Sequence, residues 1–212
     1  MFRQSVCGAA NRLPNSGIPQ ENRMNTQPRY IYVVLTQTGT VPARMIKWVT
    51  KAPYNHASVT CDIELRNIYS FCRISKARPL PAGFVNENDL GVFDMFNTVP
   101  CEIYAFEASD EQYENYEALI THFKRKNKYY GYNVLGLFAL AFGIPIQRKK
   151  RFICSQFVAH VLSECKLAAF EKKLALVKPD DFRYLENARL VYKGDMKKFT
   201  YDDVFLPQPQ TV

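Results

Sequence analysis

Tyr30 to Leu35 forms an unbroken apolar run, the mark of a buried strand. Thr38-Gly39-Thr40 reads as a turn, and Pro42 suits the first turn of a helix whose apolar side holds Met45, Ile46, Trp48 and Val49. Lys51-Ala52-Pro53 ends that helix. The pattern then alternates with period two. Ala57, Val59, Cys61 and Ile63 share one face of a strand, while His56, Ser58, Thr60 and Asp62 share the other. A turn at Arg66-Asn67 leads to a hairpin partner, Ile68 to Arg73. Residues 74–98 carry Pro79, Pro81, Gly83 and several Asn and Asp. They read as a long irregular excursion, of a kind that often contributes to a site.

Glu102 to Phe106 predicts another strand. Ser109 with Gln112 has capping-box spacing for a helix with Tyr113, Tyr116, Ile120 and Phe123 inward. Val134 to Ile144 is strongly apolar but well short of the roughly 20 residues a bilayer span needs. It predicts a buried helix ended by Gly143 and Pro145. From Cys154, apolar residues return at helical spacing as Phe157, Val158, Val161, Leu162 and Cys165. Lys178-Pro179-Asp180-Asp181-Phe182 starts a further helix with early carboxylates, and Ala188 to Tyr192 gives a last strand. Strands and helices mixed in this order predict an α+β domain over residues 29–205. A polar tail is expected at residues 1–28 and a frayed, proline-containing end at 206–212.

Charge and cysteine usage narrow the function classes. A net charge of +8 allows nucleic acid, anionic surfaces or acidic substrates as partners. No nucleic-acid motif accompanies the dispersed basic residues, so nucleic acid is not expected. The lead-in at 147–151 and a weaker run, Lys124-Arg125-Lys126, are the exceptions to the dispersion, and Arg148, Lys149, Lys150 and Arg151 suit weak contact with an acidic substrate or anionic surface. The six cysteines include no CxxC pair, so no metal or other cofactor is expected. The first 28 residues lack an apolar signal core, which predicts a reducing, cytoplasmic setting.

Candidate chemistry centres on Cys154. It stands where a short apolar run becomes a helix, behind a basic lead-in. A helix N-terminus and neighbouring cations both favour thiolate over thiol. The plainer alternative is a small buried hydrophobe. A nucleophilic thiol needs a base, and the chain has three histidines. His160 lies about 240° around the same helix from Cys154 and faces elsewhere. His122 sits on a Lys/Arg-rich helix surface. His56 opens a strand and projects from its polar face, which makes it the candidate base.

Asn55-His56-Ala57-Ser58-Val59, then Ile68-Tyr69-Ser70-Phe71, then Phe152-Ile153-Cys154-Ser155-Gln156-Phe157-Val158 resemble the circularly permuted papain-like proteins of the NlpC superfamily, in its YiiX/YaeF-like amidase branch. The resemblance spans roughly residues 29–195. It implies a papain-like half-barrel of antiparallel strands packed against helices, with Cys154 as nucleophile and His56 as base. It also implies a third polar residue on the strand after the histidine strand. Ser70 is the candidate there, a departure from relatives that carry Glu, His, Asn or Gln. A serine hydroxyl orients an imidazole but stabilises imidazolium poorly. The implied function is a cysteine hydrolase cleaving an amide, peptide or isopeptide-like, through an acyl-enzyme. Two rivals stand beside it. One is a thiol-dependent lipid acyltransferase or lipid hydrolase, as in the lecithin retinol acyltransferase-like group. The other is a non-catalytic binding protein on the same frame.

Overall fold

A computed structural model describes residues 28–38, 52–75 and 80–204. The expected helix from Pro42 falls on residues 39–51, and the two expected tails on 1–27 and 205–212, outside the described residues.

The fold is mixed α+β, built on an antiparallel six-stranded sheet. Its strands are β1 (Arg29–Thr36), β2 (His56–Thr60), β3 (Tyr69–Arg73), β4 (Ala82–Asn86), β5 (Pro100–Ala108) and β8 (Arg189–Asp195), in the order β4-β3-β2-β1-β5-β8. Between β5 and β8 the chain forms helix α1 (Asp110–Arg125), short strand β6 (Gly131–Tyr132), helix α2 (Val134–Ala141), short strand β7 (Arg151–Phe152) and helix α3 (Cys154–Glu164). β6 and β7 pair in parallel, Gly131 with Arg151 and Tyr132 with Phe152.

β1 is central because it is apolar on both sides. Ile31, Val33 and Leu35 enter the larger core cluster, while Tyr32 and Val34 enter a second one. Period-two alternation carries the division across the sheet. Ala57 and Val59 of β2 join the larger cluster with Phe157, Val158, Val161 and Leu162 of α3. The polar face of β2 is buried as well: His56, Ser58 and Thr60 are each under 10% exposed. It lies on the side of the second cluster, where Leu65, Ile68, Phe93 and Val99 supply apolar cover.

The excursion at 74–98 is more regular than expected. It contains β4, which pairs with β3 over its whole length, from Tyr69 with Asn86 to Arg73 with Ala82. Proline and glycine did not prevent a strand because Pro81 lies just before it and Gly83 is within an edge strand. α1 begins as its cap predicts: Gln112 N–H donates to Ser109 Oγ, and Ser109 N–H donates back to Gln112 Oε1. Tyr116, Ile120 and Phe123 are its buried stripe, and Tyr113 is only partly buried. The segment from Pro179 is a 3-10 helix, Pro179–Tyr184. The helix over 134–144 departs most from expectation. Leu137 and Leu140 are buried, but Leu135, Phe138, Phe142 and Ile144 face solvent.

Phe123 joins the layers. Its ring lies 5.1 Å from Phe157 of α3, 5.4 Å from Phe84 of β4 and 5.8 Å from Phe152 of β7. Phe71 of β3 meets the same group, 5.1 Å from Phe157 and 5.2 Å from Phe152. A second tie is the buried Glu102, which accepts from Tyr104 Oη at 2.8 Å and Arg183 Nε at 2.9 Å and pairs with Lys193 Nζ at 3.1 Å. It fastens β5 to β8 and to the 3-10 helix. Removing the aromatic junction leaves a cavity among four elements. Phe123→Ala is expected to lower unfolding free energy by about 3–5 kcal/mol, read from urea denaturation; a loss below 1 kcal/mol would mean that Phe123 does not join the layers.

Candidate active site

Cys154 is the first residue of α3, with Ile153 as its N-cap in extended conformation. β7 ends at Phe152, and Asn133 N–H donates to Phe152 O at 2.9 Å. On the following turn Ser155 Oγ donates to Val177 O at 2.6 Å. The residues before and after the thiol are therefore anchored. His56 is the first residue of β2. Beside it, Asn55 clasps Thr38 through two hydrogen bonds, accepting from Thr38 N–H and donating to Thr38 O, both at 3.0 Å. Strand start and helix start thus meet with little freedom, a rigid way to assemble a site.

His56 and Cys154 are close enough for each to act on the other's charge, and both are buried. The imidazole Nε2 donates to Glu87 Oε1 at 2.7 Å. Glu87 follows β4 directly and is fully buried. Its N–H donates to Ile68 O at 2.8 Å, tying it to the β3 edge. The same Oε1 accepts from Ser58 Oγ at 2.6 Å. Thiol, imidazole and carboxylate are thus three buried groups linked in series through His56.

The residue that pairs with His56 Nε2 is Glu87, not Ser70. Ser70 Oγ is buried beside the carboxylate and helps stabilise its charge, but neither it nor Glu87 Oε2 completes a well-formed hydrogen bond among the described residues. Ladder geometry explains the placement. Ser58 and Ser70 lie on the sheet face opposite Val59 and Tyr69, which pair with each other. Ser70 pairs with Val85, two residues before Glu87 and on the same face of β4. Glu87 was missed because the 74–98 segment read as irregular. The usable signal was a carboxylate two residues beyond Val85 in a short apolar stretch, Phe84-Val85.

The charges support one another. Burial alone pushes the Cys154 thiol up, but the His56 charge and hydrogen bond, with backbone N–H groups of Ala57 and Ser155, bring it below the ordinary thiol value. Burial likewise disfavours the imidazolium, and Glu87 with Cys154 outweighs it, raising His56 well above its usual value. Burial acts against the Glu87 carboxylate too, and His56 leads the contacts that hold it below the carboxylate range. The principal influences on Cys154 are thus His56 and the backbone, not the basic lead-in. Among the described residues the other free cysteines go the opposite way: burial raises Cys72, and it raises Cys101 and Cys165 to about 12. Cys61 is disulfide-bonded, a bond that the expectation of a reducing compartment did not include.

The other histidines lie elsewhere. His122 is exposed and within 3.1 Å of Tyr130 Oη, and His160 stacks near Phe152 with Glu164 3.7 Å away. Among the described residues no group of three or more His, Cys, Asp and Glu is placed to hold a metal ion, and no helix is long and apolar enough to cross a membrane. Neither the known family models nor the curated proteins give a match to this chain.

The linked shifts give a pH signature. The raised His56 stabilises the fold below about pH 6.5 and loses that contribution as pH rises through its folded value. The lowered Glu87 and Cys154 contribute above their ordinary values and lose it as pH falls through their folded ones. Iodoacetamide labelling of Cys154, followed by mass spectrometry, is expected to show a midpoint below the free thiol value of about 8.5. His56→Ala is expected to raise that midpoint, Glu87→Gln to raise it less, and Ser70→Ala to leave it near wild type. An unchanged midpoint in His56→Ala would dismantle the ion-pair account.

Proposed function

We propose that the protein is a cysteine hydrolase of the permuted papain-like type, acting on an amide or ester carbonyl. The observation that carries this reading is the buried line Cys154–His56–Glu87, in which a lowered thiol faces an imidazole backed by a carboxylate. Such a line has an activated nucleophile, a proton carrier and an orienting group in series.

In the proposed reaction the Cys154 thiolate attacks the carbonyl carbon, and the carbonyl π electrons move to oxygen. The Cys154 N–H, one of the unpaired donors of the first turn of α3, serves the oxyanion. Collapse breaks the bond to the leaving group, which takes the proton from His56. A thioester remains. Neutral His56 then removes a proton from water, the hydroxide adds to the thioester, and the thiolate departs as the carboxylic acid forms. Glu87 stays ionised and holds the ring. A carboxylate against the imidazole also weakens the case for a non-catalytic scaffold.

A second reading, transfer or hydrolysis of a lipid acyl group through the same thioester, is favoured by the exposed apolar side of α2, a helix whose other side packs on Ile153, the residue before Cys154. The two differ in acceptor and substrate, not in the first step. Treatment with p-nitrophenyl acetate and with N-acyl peptide amides, read by intact mass and product release, is expected to give a mono-acylated protein in wild type and none in Cys154→Ala. His56→Ala is expected to lower turnover about 100- to 10,000-fold. Turnover that survives Cys154→Ala would remove both readings.

A further inference from the structure

The excess positive charge of this protein has one origin. From Ala118 to Ser163 the chain contains eight Lys and Arg and no Asp or Glu. Since the whole chain has 28 basic and 20 acidic residues, the remainder is balanced, 20 against 20. The fold brings the two halves of the basic stretch together. β6 pairs with β7, and Lys126 and Lys150, far apart in sequence, both lie over the exposed ring of Tyr129, at 5.7 Å and 5.5 Å. Among the described residues, none of Lys126, Lys128, Arg148, Lys149, Lys150 and Arg151 pairs with a carboxylate.

Between the two basic runs stands α2. Leu135, Phe138 and Phe142, spaced by three and four residues, share one helix side, and Ile144 extends it. They are 54%, 50%, 79% and 53% exposed. The opposite side is firmly seated. Leu137 and Leu140 pack on Ile153, the residue before Cys154. Asn133 caps the helix by accepting from Gly136 N–H at 3.0 Å and donates to Ile146 O at 2.9 Å. A Cβ at Gly136 would collide with that amide, so glycine is required for the cap to close. The helix is held so that four large apolar side chains point outward, an arrangement with a solvation cost unless something covers them.

We propose that this face docks on the surface of an anionic lipid bilayer. An exposed apolar helix side next in the chain to cations that have no carboxylate partner among the described residues matches what an anionic membrane offers: an acyl region beneath a layer of negative headgroups. Tyr129, an amphipathic ring between two lysines, suits the boundary. Docking would set Ile153, and through it Cys154, near the lipid surface. The inference concerns binding and holds whether or not Cys154 turns over a substrate.

Flotation of the full chain with phosphatidylcholine vesicles, with and without phosphatidylserine, tests it. Binding is expected only with phosphatidylserine and is expected to fall as salt is raised. The triple variant Arg148→Gln, Lys149→Gln, Lys150→Gln is expected to weaken it roughly 100-fold. Leu135→Ser with Phe138→Ser and Phe142→Ser is expected to abolish it while leaving circular dichroism and Cys154 labelling unchanged, since the altered side chains are exposed. Absence of binding at low salt, or binding equal in both folded variants, overturns the proposal. A dimer in size-exclusion chromatography that the serine variant converts to monomer, without lipid binding, assigns the face to self-association and overturns it equally.

Discussion

The Glu87–His56 contact is the constraint around which this interior is arranged. A carboxylate with no exposed surface is costly to ionise, and so is an imidazolium or a thiolate. Each of the three is tolerable only because the next is present. Remove Glu87, and the imidazolium has one partner fewer; remove His56, and the carboxylate is left with the hydroxyls of Ser58 and Ser70 and the sulfur with backbone N–H groups, with no cation against burial. The three groups come from the end of one strand, the start of another and the start of a helix, so the sheet order β4-β3-β2 and the seating of α3 are conditions for the chain of charges to exist.

Glu102 shows what a carboxylate looks like when its role is to bind elements together. Both of its oxygens are occupied, by Tyr104 and Arg183 on one and Lys193 on the other. Glu87 is dressed differently. Oε1 takes both His56 and Ser58, while Oε2 has only the neighbourhood of Ser70. One carboxylate is saturated by fixed cations, and the other depends on a titratable ring.

Much of the frame was legible because local rules and burial agreed. The capping box at Ser109, the apolar run of β1 and the helical spacing after Cys154 each have a short-range cause, and each element formed where expected. Two places were not legible. β4 carries too few alternating residues to outweigh Pro81 and Gly83, yet pairing with β3 makes it a strand, and with that pairing Glu87 arrives at His56. The apolar α2 segment reads as buried because composition gives no direction. Only the seating of Leu137 and Leu140 on Ile153 decides which side faces out. Ser70 was expected from its place on the strand after the histidine strand; what could not be read was that the next strand delivers a carboxylate beside it.

The concentration of all net charge between Ala118 and Ser163 has a consequence for the molecule as a whole. Charge gathered at one place on an otherwise balanced body is a permanent electric dipole. In the field of a negatively charged plane such a body experiences a torque as well as an attraction, so it turns before it arrives. Its orientation on first encounter is set while still a Debye length away, about 8 Å at physiological ionic strength. In the docking proposed above, short-range packing would then act on a molecule that already presents α2 and the basic turns.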